Sequence, residues 1–256
     1  MEYHIVKNKK SNGFPLLSAR YARVAFTLAE VLITLGIIGV VAALTLPALI
    51  TNYKKQEIAT RLKASQSVIS QMLNMSIAEH GDPVNWDFAY VNGTEANSGL
   101  SKNLIINLTE KYFLPYLNDT KRSSYMTLAE AGYSEPYHNA DGSLNTHNLN
   151  ALNKNQYVIE LANGVSILVY MNSSDITHTL TNILLYIDVN GKRKPNVFGR
   201  DTFVAEIKSS SGRFEWLGHG YNRNSLILSC LKSNLSCGEL IMHDGWEIKE
   251  DYPIKI

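Results

Sequence analysis

The sequence predicts an α+β fold in which one long N-terminal helix, membrane-spanning in its first half and amphipathic in its second, packs on a C-terminal antiparallel sheet. Three observations carry this reading. Residues Phe26 to Ile50 form a 25-residue apolar run with a single ionisable side chain, Glu30. Apolar and small residues then recur at steps of three and four as far as Ile77, the spacing of one helix face. From Gln156 onward the pattern becomes strand-like and is punctuated by turn residues.

At about 1.5 Å per residue the apolar run is long enough to cross a hydrocarbon core about 30 Å thick. It also exceeds the roughly 7 to 15 apolar residues of a secretory signal and lacks its small-x-small cleavage site. The second half carries a stripe of Ile58, Leu62, Ser65, Ile69, Met72 and Ser76, widened by Val68, Leu73 and Ile77. Lys54, Lys55, Arg61 and Lys63 lie on the polar side. The mixed spacing, without sustained heptads, favours packing on a sheet over a coiled coil. The sequence His80-Gly81-Asp82-Pro83 is a stop signal, so the helix is predicted from about Phe26 to about Glu79.

Residues 84–154 are polar and irregular, with one predicted short helix over Asn103 to Tyr116. Tyr157 to Leu161 and Val165 to Met171 flank Asn163-Gly164, a pair that favours a primed hairpin turn. Further strands are predicted at Asn182 to Val189, Thr202 to Ile207, Arg213 to Leu217 and near Trp246 to Lys249. The resulting plan is a helix half at 26–50, a second at 51–80 and a globular domain at 81–256. Trp86, Trp216 and Trp246 are predicted as packing residues.

Composition excludes several classes. With 24 Lys+Arg against 23 Asp+Glu the net charge is +1, which provides no global field for nucleic acid. Five of those cations (Lys7, Lys9, Lys10, Arg20 and Arg23) stand in residues 1–25 against Glu2 alone, so a basic head precedes a mildly acidic body. Two cysteines are too few for a disulfide-scaffolded miniprotein or a four-thiolate zinc site. No phosphate loop, nucleophile elbow or paired-carboxylate pattern stands out, so no enzymatic activity is predicted. Histidines 80, 138, 147, 178, 219 and 243 show no metal-ligand spacing, and a loop site of His138, Asp141 and His147 is weighed against simple exposure.

Arg20 and Arg23, Ala25, Phe26, Glu30 and Pro47 together resemble the N-terminus of the type IV pilin and type II secretion pseudopilin superfamily. Ala25 stands where that family usually has glycine. The resemblance implies a leader, 1–25, removed by a prepilin peptidase between Ala25 and Phe26, N-methylation of Phe26, and pairing of the Glu30 carboxylate with the N-terminal amine of a neighbouring subunit. It also implies a single-pass protein of the bacterial inner membrane with a periplasmic body. Its expected partners are other pilin or pseudopilin subunits, the peptidase and an inner-membrane assembly platform. Gly36 and Gly39 would allow close helix approach or simply add flexibility, and Pro47 is either a hinge or a tolerated membrane proline. No cofactor is expected.

Cys230 and Cys237 bracket a short loop in a body placed in an oxidising compartment, so a disulfide is expected over a pair of free structural thiols. The pair resembles the disulfide of a pilin C-terminal loop. Asp188, Asn190 and Asp201 offer oxygens for calcium, as in some pseudopilin loops, but Lys192, Arg193 and Lys194 oppose a cation. Capping or Asx turns are the favoured role. Two rivals remain: a membrane-tethered monomeric binding or catalytic domain, and a DNA-capturing competence pilin using Lys192 to Lys194 with Arg200.

Overall fold

A computed structural model describes residues 27–86, 99–118, 120–144, 152–153, 155–171, 183–208 and 211–256. The chain divides after Pro47 into two compact units, 1–47 and 48–256. The described part of the first unit opens the long helix α1 (Leu28–His80), and its side chains are exposed almost throughout.

In the second unit, α1 buries Leu62, Ser65, Ile69, Met72, Leu73 and Ser76 of the stripe predicted from spacing, together with Ala59, while Ile58, Val68 and Ile77 of that stripe are partly buried. Leu62, Ile69, Met72 and Leu73 are each at most 2% exposed. At ~1.5–3 kcal/mol per buried side chain these four contribute on the order of 6–12 kcal/mol, comparable with the net stability of a whole domain. This half of α1 is therefore an integral wall of the core. Gly81, at φ +74°, closes the helix by donating its N–H to the Ile77 carbonyl.

The chain then forms α2 (Gly99–Leu108), which continues as a π turn and a 3-10 turn to Tyr116. The sheet is β1 (Thr120–Thr127), β2 (Asn155–Leu161), β3 (Ser166–Met171), β4 (Ile183–Asp188), β5 (Thr202–Lys208) and β6 (Arg213–Trp216), paired antiparallel in chain order. The four-residue helix α3 (Leu128–Ala131) follows β1, and α4 (Arg223–Ser233) and α5 (Cys237–His243) follow β6.

Register explains the core. Tyr157, Val169, Leu185, Ala205 and Trp216 stand side by side across β2 to β6 and face the same core as α1. Trp216 ends the row by donating its indole N–H to Gln66 on α1. One residue along, Val158, Leu168, Tyr186 and Val204 form a row on the opposite face. That second face is covered as well, by Leu128 and Ala131 of α3 with Tyr133, Tyr137 and Phe198. Strands buried on both faces read as near-continuous apolar runs, as β3 and β4 do.

Three expectations are corrected. Asn163-Gly164 does not form a two-residue primed turn, which needs positive φ at both central residues. Instead Gly164 donates to the Leu161 carbonyl, Leu161 donates to Val165, and only Gly164 is left-handed, at φ +85°. This is the three-residue hairpin with a glycine bulge. Trp246 to Lys249 forms no strand: the Trp246 N–H donates back to the Ile241 carbonyl, and Trp246 takes φ +67° and is half-buried. The stretch predicted as irregular contains the edge strand β1, whose side chains are mostly polar and half-exposed.

The C-terminal helices are tied down by Arg223. Its guanidinium forks onto Asp244 at 2.7 and 2.8 Å and onto Asp251 at 2.7 Å twice, with Lys249 also 3.0 Å from Asp244. Although burial raises the Asp244 carboxyl, hydrogen bonds from Arg223 and Lys249 outweigh it and hold the group below its usual range. Hydrogen bonding to Arg223 lowers Asp251 too. A depressed carboxylate stabilises the fold above its unfolded pKa, about 4, and loses that contribution as pH falls through the folded value. Arg223→Ala is thus expected to lower the urea midpoint at neutral pH, with the gap to wild type closing as pH falls below about 4; denaturation curves at neutral and acid pH check it.

Candidate functional site

The first predicted site residue the structure describes is Glu30, and it occupies a capping box. Its Oε2 accepts from the Thr27 backbone N–H and hydroxyl, both at 2.8 Å, while the Glu30 N–H donates to Thr27 Oγ1 at 3.2 Å. The tetrapeptide Thr27-Leu28-Ala29-Glu30 recurs as Thr127-Leu128-Ala129-Glu130 at α3, and the same three bonds form there at 2.8, 2.9 and 3.1 Å. Four residues suffice for this geometry. The carboxylate of a single copy is therefore occupied by its own helix start. The sequence reading missed this role, although the Thr-x-x-Glu signature is visible.

Beyond Glu30, thirteen large apolar side chains between Leu28 and Ile50 are at least 40% exposed. One 18-residue window has no buried residue, and the helix is long and apolar enough to cross a membrane. Its hydroxyls are satisfied internally: Thr34 donates to the Val31 carbonyl at 3.0 Å and Thr45 to Val41 at 2.9 Å. A Cβ at Gly36 or Gly39 would meet nothing within 4 Å, leaving both open to close approach by another helix. Pro47 lies inside α1 and supplies no N–H to the ladder. Ala25 and Phe26 lie outside the described residues.

The structure brings Asp188, Asn190 and Asp201 together at the β4–β5 connection. Asp201 accepts from the N–H groups of Val197 at 2.6 Å and Asn196 at 3.0 Å and from the Asn190 amide at 3.1 Å. Asp188 accepts from the Tyr137 hydroxyl at 2.7 Å and the Asn190 N–H at 3.2 Å, an Asx turn. Burial pushes the Asp188 carboxyl well above its ordinary range, and the nearby Asp201 charge adds to the effect. Burial likewise raises Asp201 against the lowering by its N–H donors. These oxygens are engaged by the chain's own donors, which makes the cluster a turn clamp.

The basic run divides: Arg193 and Lys194 line one cleft with Arg200, and Lys192 does not. Lys192 pairs with buried Glu160 at 3.0 Å and donates to the Ala131 carbonyl at 2.9 Å, and Lys194 pairs with Glu135 at 2.6 Å. Arg193 donates to the Asn190 carbonyl at 3.1 Å. His138 pairs through its backbone with Asn196 and Phe198, Asp141 forms an Asx turn with Ser143, and His147 and His178 lie outside the described residues. No group of three His, Cys, Asp or Glu suited to a metal occurs among the described residues.

Cys230 and Cys237 form the expected disulfide, with Cα atoms 4.8 Å apart. The bridge joins α4 to the first residue of α5, so it closes a helix-helix corner where a surface loop was expected. Gly199 and Gly238 pack against this corner: a Cβ on Gly199 would lie 2.7 Å from Cys237 Sγ, and one on Gly238 2.6 Å from the Trp216 ring.

A protein-family model matches residues 48–256, the body from the second half of α1 to the C-terminal helices. The chain belongs to the family of unknown function DUF6613. No curated protein and no solved structure matches the chain. The matched DUF6613 stretch holds the sheet, the disulfide and the Asp201 clamp, and begins after the Glu30 capping box. Asp201→Ala is expected to destabilise the DUF6613 body by roughly 2–4 kcal/mol, because buried donors lose their acceptor. Urea unfolding measures this, and a calcium-induced rise in Tm that the variant loses would assign the cluster to a metal instead.

Proposed function

We propose that this chain is a non-enzymatic structural subunit of a type IV pilus or type II secretion pseudopilus. In this reading a prepilin peptidase cuts between Ala25 and Phe26, Phe26 is N-methylated, and the subunit sits in the bacterial inner membrane with its body in the periplasm. Subunits then assemble through the apolar part of α1. The observation that carries the reading is the apolar helix itself: it opens on a carboxylate, exposes apolar side chains all round, and is followed by an amphipathic stretch built into the wall of an antiparallel sheet. The Cys230–Cys237 bridge is consistent with an oxidising compartment. We read it as a minor or specialised subunit.

Assembly would move Glu30 from its own cap to a neighbour's amine. An unpaired carboxylate inside a membrane costs ~2.5–3.5 kcal/mol on insertion scales, and a partner cation offsets it. The capping box favours a second reading: a membrane-tethered monomer in which Glu30 has no duty beyond starting α1.

Glu30→Gln separates the two, since glutamine keeps the capping box and removes the charge. Breaking a buried pair costs ~3–5 kcal/mol, enough to cut polymer more than about tenfold. Both Glu30→Gln and Glu30→Ala are expected to insert and be processed yet give little amine-crosslinked polymer in native membranes. Wild-type polymer levels in Glu30→Gln would refute the carboxylate-amine pairing and leave the cap as the function of Glu30.

A further inference from the structure

Within the 48–256 unit, a cleft of about 200 Å³ opens between α1 and the β4–β5 connection. Five cations line it: Lys54 and Arg61 from α1, Arg193 and Lys194 from the connection, and Arg200 before β5. Two side-chain carboxylates face it, both engaged by the chain's own groups, and Ile256, the last residue of the sequence, lines it as well. Glu57 is paired with Arg61 at 3.0 Å, and Asp201 is buried in its clamp. Arg61 is fixed by donating to the carbonyls of Asn163 at 3.1 Å and Val189 at 3.2 Å, and Lys194 is held by Glu135. The side chains of Lys54 and Arg200 make no hydrogen bond to the described residues, although the Arg200 charge acts on the neighbouring Asp201, and the Arg193 side chain uses only its Nε, so these three present cationic donors to the cleft. Ile58, Val189 and Pro195 give the cleft an apolar floor.

We propose that this cleft binds the phosphate of an anionic phospholipid headgroup. Its volume holds a phosphate group with room to spare, at ~30 Å³ for a water molecule. Guanidinium and ammonium donors on an apolar floor match an amphiphile better than a free ion. Position supports the same source. Lys54 stands four residues beyond Ile50, the last residue of the apolar run, which is about 6 Å of helix. Headgroups occupy roughly 5–7 Å outside the hydrocarbon on each side of a bilayer, so Lys54 falls at their depth when the run is inserted. The inference rests on membrane insertion of that run and is independent of polymerisation.

The test uses the full chain in a non-ionic detergent, titrated calorimetrically with short-chain phosphatidylglycerol, short-chain phosphatidylcholine and inorganic phosphate. Phosphatidylglycerol is expected to bind more than about tenfold tighter than phosphatidylcholine or inorganic phosphate, given the gain per cation near an anionic headgroup. Removing two cations with Lys54→Gln/Arg200→Gln should weaken phosphatidylglycerol roughly thirtyfold, while the control Lys232→Gln on α4 changes nothing. Equal affinity for the two lipids, or for inorganic phosphate and phosphatidylglycerol, would overturn the assignment. So would tighter, competing binding of duplex DNA. The wild-type comparison stands even if the double variant misfolds. Resistance of the protein to alkaline extraction from native membranes reports insertion separately, so failure of that premise is distinguishable from failure of the site.

Discussion

Thirteen large apolar side chains stand exposed on α1 between Leu28 and Ile50. At ~1.5–3 kcal/mol each, leaving them in water forgoes on the order of 20–40 kcal/mol, against the 5–15 kcal/mol or so that holds a whole domain together. No arrangement of the body's ion pairs offsets a deficit of that size. The segment is long and apolar enough to cross a membrane, where hydrocarbon or other helices would recover that energy, and the polar groups within it are satisfied by the helix itself. Thr34 and Thr45 turn their hydroxyls back onto helix carbonyls, and Glu30 spends its carboxylate on the Thr27 N–H and hydroxyl.

The same helix meets a different demand in the body. From Ala59 onward its stripe forms one wall of the core, closed by the Trp216 indole bonded to Gln66 and by Arg61 reaching the carbonyls of Asn163 and Val189. The sheet needs a second cover because β2 to β5 are apolar on both faces, and α3 with Tyr133, Tyr137 and Phe198 supplies it. Tyr137 then reaches Asp188, which links that cover to the β4–β5 connection and the Asp201 clamp. The disulfide and the Arg223 fork fix the two last helices against this frame.

Long-period features were legible from residues alone. The α1 stripe, all five strands from β2 to β6 and the hairpin position follow from spacing, because each rests on many side chains acting in concert. Strand β1 was hidden because an edge strand needs few inward apolar residues, here Met126 on one face and the partly buried Tyr125 on the other. Helices α4 and α5 were hidden because short elements carry few periodic positions. Their signals were the Asn222 cap on Ser225 and left-handed Asn234, which are local and easily read as loop. Trp246 to Lys249 looked like a strand by composition but had no partner strand to pair with. At the candidate site, Glu30 was legible as an anomaly in an apolar run, and its cap on Thr27 was legible too, in the four residues Thr27-Leu28-Ala29-Glu30.

Prepilin processing, if it occurs, is written in the N-terminus of the chain. Intact mass and N-terminal sequencing of the chain purified from its native membrane would read it directly. The account predicts a chain that begins at Phe26, with one added methyl group on its amine. An intact Met1, or an unmodified terminus elsewhere, would contradict it and make the tethered monomer the better description.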